Sequence, residues 1–283
     1  MSDLKQLDEL FKDLSLEPVP TSDIEAWVAN PTHHEIYNKL WIAETQCIPC
    51  GPMGIYPSKY PVIFKPIINL YGMSRGIRIV NNDDEYEKYK VDGMFWSDFL
   101  TGPQHCVDLV LVDGKIVYSG ALLSHLGPMG SFDYHETLTD YELPDSIRDW
   151  ISVALDDYTG CVNMDVIGNK IVEVHLRLNG DSQSYDYDFV RQLHAVLRKK
   201  IPAITYTPPK IYIIPIFVEK TFDKSINQKE IKSIAETYNI NRIGFDDINA
   251  AHQSEHFNRL AIFDTPNLDT GLEFREKIIE LCV

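Results

Sequence analysis

The alternation of apolar and polar positions changes period several times along the chain, and each change marks an element. Leu4, Leu7, Leu10, Phe11 and Leu14 fall at helical spacing, Pro18 and Pro20 end that run, and Thr21, Ser22 and Asp23 give a helix-capping signal. Residues 1–30 therefore read as an N-terminal arm, either a docking helix or one packed on the body. A helix is predicted from His33 to Gln46 and a loop through Gly51, Pro52, Gly54 and Pro57. A short apolar strand then runs from Tyr60 to Phe64 and delivers Lys65 at its end. Gly72 and Gly76 bound a loop before the strand Ile77 to Val80, a helix is capped by Asn81 to Glu85, and Met94 to Leu100 is the next strand. Val107 to Val112 and Ile116 to Tyr118 form a hairpin with Asp113-Gly114 as its turn. Residues 120–143, rich in Gly, Ser and His and lacking periodicity, are expected to be a long loop.

Pro144 opens a helix in which Ile147, Trp150, Ile151 and Leu155 repeat at helical spacing, ending near Gly160. The stretch Val162 to Arg177 reads as a β-hairpin. Val162, Met164 and Val166 alternate on one arm, Ile171 and Val172 lie on the other, and Gly168-Asn169 gives the turn. Asp165 sits on the first arm, while Glu173, His175 and Arg177, two apart, project from one face of the second. Two carboxylates, an imidazole and a guanidinium at one hairpin suit a divalent-metal and phosphate site, although an ordinary hairpin with one wet face carries the same residue types. Beyond it lie a helix from Phe189 to Lys200, a linker marked by Pro202, Pro208 and Pro209, a strand from Ile211 to Val218 and a helix from Gln228 to Tyr238. Strands at Ile240 to Phe245 and Arg259 to Phe263 and a helix from Gly271 to Leu281 complete the chain. The expected fold class is α+β, with an arm at 1–30, a core at 31–200 and a small α+β module at 201–283.

Composition narrows the classes. With 283 residues, 44% of them hydrophobic, the chain can bury a sizeable core. Its 26 basic against 42 acidic residues give a net charge of −16, which opposes long-range attraction to polyanions. Nucleic acid and anionic membranes are therefore not expected partners. No stretch reaches the ~20 apolar residues of a membrane span, and Met1 to Lys5 do not begin a basic, apolar leader, so a soluble, cytoplasmic protein is expected. Five cysteines are too few and too odd for a disulfide framework. Cys47-Ile-Pro-Cys50 lacks the second ligand pair of a structural zinc site and does not open a helix as a redox pair would, so both read as structural thiols.

Three segments, in order, carry a resemblance. Pro61-Val-Ile-Phe-Lys65-Pro66, followed by Gly72-Met73-Ser74-Arg75-Gly76, resembles the phosphate-gripping strand and glycine-rich loop of the ATP-grasp superfamily. Phe95-Trp-Ser97-Asp98-Phe99-Leu100-Thr-Gly102-Pro103-Gln104, with the Asp113-Gly114 turn after it, looks like that family's interdomain hinge. Asp165, Glu173, His175 and Arg177 are similar to its metal strands, and Asn38-Lys39-Leu40 to the segment that supplies an earlier nucleotide-contacting lysine. The resemblance spans about residues 36–180. It implies two subdomains whose antiparallel sheets sandwich a nucleotide, with the family's N-terminal substrate domain shortened here.

The resemblance also implies an ATP- and Mg2+-dependent ligase that joins a small carboxylic acid to an amine through an acyl-phosphate and releases ADP. Lys39 would contact the nucleotide and Lys65 its α and β phosphates, and residues 72–76 would cover the transferred group. Ser97, Asp98, Phe99 and Leu100 would meet adenine, and Gln104 the ribose. Asp165, Glu173 and His175 would hold Mg2+ or Mn2+, and Arg177, with Lys65, would act on the reacting groups. Two positions depart from the family pattern. His175 stands where the family has Asn, an imidazole that suits zinc or manganese better than magnesium, and Gln104 stands where many members have Glu. A nucleotide-binding interaction protein without catalysis and a kinase on the same fold are the alternatives. Small-molecule carboxylate and amine substrates are the expected partners, with homo-oligomerisation left open. Candidate substrate contacts are His125, Asp133, Tyr134, His135, Arg148 and Asn163.

Overall fold

Four short strands carry the first sheet: β1 (Cys50–Pro52), β2 (Val62–Pro66), β3 (Arg78–Val80) and β4 (Met94–Asp98), all antiparallel in the order β1-β4-β2-β3. The computed structural model describes residues 7–72, 74–127, 131–181, 185–219, 227–240, 242–246 and 257–282. Period two sorts β2 into two faces. Val62 and Phe64 pack with Val80, Tyr86 and Trp96, while Ile63 and Lys65 turn toward a cavity. Tyr86 belongs to helix α4 (Asp83–Tyr89), whose N-cap Asn82 accepts from the Glu85 N–H as the sequence signal implied.

The second sheet has eight strands. In chain order they are β5 (Gln104–Val112), β6 (Lys115–Leu126), β7 (Phe132–Leu138), β8 (Gly160–Ile167), β9 (Lys170–His175), β10 (Tyr212–Glu219), β11 (Arg242–Phe245) and β12 (Phe257–Thr265). Their spatial order is β11-β12-β10-β7-β6-β5-β8-β9, antiparallel throughout. On β5, Val107, Leu109 and Leu111 face a core built with α2 (Asp23–Ala29), α3 (Lys39–Thr45) and α5 (Asp145–Ala154). Val110 faces the opposite side, where α1 (Leu7–Asp13) and α6 (Tyr187–Leu197) bury Leu10, Phe11, Phe189 and Leu193. Full burial of each such side chain contributes about 1.5–3 kcal/mol. The arm is thus packed on the body through α1. The remaining helices, α7 (Gln228–Thr237) and α8 (Leu268–Cys282), cover β10 to β12.

Several expectations change. Residues 120–143 are not a long loop: β6 continues to Leu126 and β7 occupies Phe132–Leu138. One face of both strands lines the polar cavity with Ser124 and His135, so the apolar alternation that signals a strand is absent from the sequence. The predicted helix from His33 is broken at Asn38, the N-cap of α3, with a 3-10 turn at His34–Tyr37 before it. The helix after Pro144 stops at Ala154, short of Gly160. Residues 201–283 contain the expected strand–helix–strand–strand–helix order, and their strands extend the same large sheet through the β10–β7 ladder. All five cysteines are free.

The Asp113-Gly114 turn sits against the chain leaving α5. Gly114 has φ +71°, its N–H donates to the Tyr158 carbonyl at 2.9 Å, and a Cβ built there would lie 2.1 Å from the Asp156 carbonyl oxygen. A side chain therefore meets both an unfavourable φ and immovable backbone. Gly114→Ala is expected to destabilise the protein by about 2–4 kcal/mol, read as a lowered urea midpoint, and an unchanged midpoint would mean that the turn relaxes freely.

Candidate functional site

A cavity of about 780 Å³ lies between the two sheets. The small sheet contributes Ile63, Lys65, Arg78 and Ile79, and the segment from β4 into β5 contributes Asp98, Phe99, Leu100 and Gln104. The large sheet contributes Cys106, Ser124, His135, Asn163, Asp165, Glu173 and His175, and the chain beyond β9 adds Arg177, Asn179 and Asp181. Gly72 and Ser74 close one side. The structure thus brings eleven of the predicted positions to one cavity: Lys65, Gly72, Ser74, Asp98, Phe99, Leu100, Gln104, Asp165, Glu173, His175 and Arg177. Arg75, Gly76, Ser97 and Lys39 do not line it. Ser97 is buried as the ladder partner of Ile63, Arg75 lies 5.6 Å from the Tyr71 ring centroid, and Met73 falls outside the described residues.

Lys65 is the central cation of the cavity. It ends β2, opposite Phe95 in register, with its ammonium 5.6 Å from the Phe95 ring centroid. It makes no ion pair with any described residue. Enclosure pushes its pKa down to about 8, against the attraction of Glu173 and Asp165. An enclosed ammonium without a counter-ion is costly, and a phosphate group would remove that cost.

Opposite Lys65, β8 and β9 place two carboxylates side by side. Asp165 and Glu173 are direct partners in the ladder, and a bulge follows between Asp165 and Val166. Burial and then the neighbouring Glu173 charge raise Asp165 to about 6. Burial would raise Glu173 too, but Lys39 and His175 hold it below the usual carboxylate range. Lys39 achieves this from behind the site: it is the first residue of α3, buried, with Nζ 2.8 Å from Glu173 Oε1.

Position 23, read in the sequence only as part of a cap signal, supplies a further site residue. Ser22 caps α2 through a reciprocal bond pattern with Glu25, and this sets Asp23 at the first helical position, 5% exposed. Its Oδ1 lies 2.8 Å from His175 Nδ1 and its Oδ2 accepts from Arg177 Nη2 at 2.9 Å. Burial would raise Asp23, but His175 and Arg177 bring it down to about 2. Arg177 also donates to the Leu178 carbonyl, and His175 Nε2 stands 3.5 Å from Glu173 Oε1. Arg177, Asp23, His175, Glu173 and Lys39 therefore form one row of alternating charge-bearing groups.

Asn179 and Asp181, which read as a simple turn, also reach the cavity. The Asn179 N–H donates to Asp108 Oδ1 at 2.7 Å, and Asp181 pairs with Arg259 of β12 at 2.6 Å. Asp108 additionally receives Tyr185 and Asn163, and burial raises it to about 6. No sequence signal separates these residues from ordinary turn and strand positions, because their partners are 55 to 78 positions away.

Among the described residues no three His, Cys, Asp or Glu side chains stand together as an ion cage. Glu173 is engaged by Lys39, and His175 is turned to Asp23 through Nδ1. Two adjacent enclosed carboxylates, one of them raised by the other, nonetheless fit a divalent cation that brings its remaining oxygen ligands with a phosphate and water.

No family model matches the sequence, and no curated protein does. Solved structures do match by shape. The L-amino acid ligase from Bacillus licheniformis superposes with a TM-score of 0.62 at 13% identity, over 95% of this chain and 75% of that one. The carboxyaminoimidazole ribonucleotide synthase from Aspergillus clavatus, complexed with ATP, gives 0.57 at 14% identity, over 98% and 78%. The biotin carboxylase domain of the Hydrogenobacter thermophilus 2-oxoglutarate carboxylase, complexed with MgADP, gives 0.54 at 12% identity, over 91% and 72%. Two antiparallel sheets enclosing one cavity, shared with these structures over nearly the whole chain, are the ATP-grasp fold.

Proposed function

We propose that the protein is an ATP- and Mg2+-dependent ligase that activates a small carboxylic acid as an acyl-phosphate, joins it to an amine and releases ADP. The observation that carries this reading is Lys65: an enclosed ammonium that makes no ion pair with any described residue, facing a cavity large enough for a nucleotide and a second substrate. Lys65 would hold phosphate oxygens as a point charge, with Gly72 and Ser74 beside them. Phe99 and Leu100 offer apolar surface to a base, and Gln104 a neutral hydrogen-bonding group to the ribose. Asp165 and Glu173 would hold the magnesium ion, whose chemistry is to neutralise phosphate charge. Arg177, fixed by Asp23, would stabilise negative charge on the acyl group. The nucleotides and ligase names attached to the matching structures support the same reading.

A second reading, nucleotide binding without turnover, is favoured by the pairing of Glu173 with Lys39 and of Arg177 with Asp23, since both groups already have partners. ADP release from Mg-ATP, measured across pairs of amino acids as acid and amine, separates the two. Release that needs both components is expected. Mg-ATP binding in calorimetry without release would support the second reading, and a kinase would release ADP with an acceptor but without an amine.

Lys65→Met is expected to abolish nucleotide binding in calorimetry and to raise the Tm of the ligand-free protein by about 2–4 °C, which corresponds to about 1 kcal/mol of relieved charge burial. A Lys65→Met protein that binds ATP like the wild type would remove Lys65 from the site. Because the phosphates prefer protonated Lys65, nucleotide affinity should be level below about pH 8 and fall up to about tenfold per unit above it.

Asp165 gives a prediction of opposite form. Its folded pKa of about 6 lies above the ordinary value of 3.8, so the native state binds the extra proton and stability drops as pH rises from about 4 to 6. Asp165→Asn removes that drop. It is expected to stabilise the ligand-free protein by about 1–3 kcal/mol at pH 8 and by little at pH 3.5, in paired urea titrations.

A further inference from the structure

The cavity has a second end, away from the Asp165–Glu173 pair. Three strands, β5, β6 and β7, separate β8 from β10, and across them the lining becomes aromatic. Phe132 of β7 and Phe217 of β10 stand edge to face at 6.2 Å, and the Phe132 and His135 rings lie 3.8 Å apart between centroids. Phe217 is only half-buried, whereas Ile216 and Val218 on either side of it are buried in the core under α7 and α8. Partly open rings in a cavity are surface that a ligand can cover. Phe217 is also the ladder partner of Arg259, so both side chains leave the sheet on one face. Asp246 grips Arg259 as a fork, accepting from Nε at 2.8 Å and Nη2 at 3.1 Å, while Asp181 Oδ1 accepts from Nη1 at 2.6 Å. Two carboxylates thus share one guanidinium. Burial would raise Asp181, but Arg259 keeps it below the usual carboxylate range, so it is ionised. Its Oδ2 has no hydrogen-bond partner among the described residues, and the side chain lines the cavity. His135, 5% exposed, has Nδ1 2.8 Å from Ser124 Oγ, and its Nε2 has no hydrogen-bond partner among the described residues. Burial lowers its pKa to about 4, so it adds no charge at neutral pH.

We infer that this end of the cavity is a subsite for a primary ammonium borne on an aromatic or bulky aliphatic group, with Asp181 accepting from the ammonium and Phe132 and Phe217 selecting the apolar part. Its use for the amine-bearing substrate rests on the ligase reading above, whereas the binding itself does not. An ammonium here finds an open carboxylate oxygen, the neutral imidazole of His135 and ring faces that attract a cation. An anionic group would instead meet two carboxylates against one guanidinium that both already hold, so phosphorylated and dicarboxylic compounds are disfavoured at this end. A small ammonium ion gains the charge contact but leaves the rings uncovered. Arg259 acts as a positioning residue: anchored by Asp246, it fixes Asp181 through Oδ1 and leaves Oδ2 to the ligand. The same pairing explains why a guanidinium 9% exposed stands on a strand so far from the nucleotide end.

The test uses the full chain and four probes: 2-phenylethylammonium; 2-phenylethanol, which lacks the charge; 3-phenylpropionate, which reverses it; and ethylammonium, which lacks the ring. Each is titrated by ligand-observed NMR at pH 7.5, with and without Mg2+ and a non-hydrolysable ATP analogue, whose phosphates keep the propionate from Lys65. 2-Phenylethylammonium is expected to bind at least about tenfold more tightly than each of the other three. Its ring should give nuclear Overhauser contacts to those of Phe132 and Phe217. These readouts need no variant. In Asp181→Asn the preference for 2-phenylethylammonium over 2-phenylethanol should disappear, while 2-phenylethanol keeps its affinity within about twofold, a pattern that general loss of structure does not produce. In Phe217→Ala the preference over ethylammonium should fall about tenfold. Equal or tighter binding of 3-phenylpropionate against these rings, an ammonium preference retained in Asp181→Asn, an unchanged preference over ethylammonium in Phe217→Ala, or no binding of 2-phenylethylammonium would each overturn the proposal. A wild-type protein that binds 2-phenylethylammonium in the expected pattern but no nucleotide analogue would instead overturn the ligase reading and leave the subsite standing.

Discussion

Asp165 and Glu173 are direct partners across neighbouring strands and largely buried, and two carboxylates so placed repel unless positive charge is supplied. Much of the surrounding structure answers that constraint. Lys39 enters from a helix behind the sheet, Lys65 from the opposite sheet, and His175 and Arg177 from the same strand and its continuation. Each answer is incomplete by itself. Lys39 serves Glu173 only, Lys65 forms no ion pair with a described residue, and Asp165 keeps a proton well above the pH at which an exposed aspartate would lose it. The resting site is therefore electrostatically unfinished in one direction, toward the cavity, which is where a polyanion with its cation would enter.

Sheet geometry is what permits this arrangement. Period-two alternation lets one strand serve the core and the cavity at once: β2 buries Val62 and Phe64 on one side and offers Ile63 and Lys65 on the other, and β5 does the same with Leu109 and Cys106. A helix presents a narrower stripe, and here the helices contribute single residues, Asp23 and Lys39, each from a first helical position held by a side-chain cap. The extension of the large sheet by β10 to β12 adds a further anchor, because Arg259 on β12 holds Asp181 at the cavity rim and is held in turn by Asp246.

The hairpin from Val162 to Arg177 was legible because its turn, its alternation and its polar residues all lie within sixteen positions. The glycine loop and Lys65 were legible through their order along the chain. What was not legible has a common cause. Strands β6 and β7 line the cavity with Ser124 and His135, so function erased the apolar pattern that would have announced them. The pairing of Lys39 with Glu173 and the contacts of Asp23 with His175 and Arg177 carry no local signal, since they join residues more than a hundred positions apart. Local signals fix elements; partners across the fold fix charges.

Those separations carry a consequence for how the protein reaches its working state. His175 and Arg177 meet Asp23 across 152 and 154 positions, and Gln46 bridges to Ile171 across 125, whereas the sheet strands around them join mostly through neighbouring hairpins. Closing long loops is entropically unfavourable until the ends are already held close, so the charge row draws on the sheets to bring its members together. The seven residues of α2 are too few to form a helix unaided in water, so their ordering depends on that docking. A nascent or thermally loosened chain can thus possess both sheets and an intact hydrophobic interior while His175 and Arg177 still lack their anchor. Competence at this site therefore depends on the docking of α2 as much as on the two sheets that enclose the cavity.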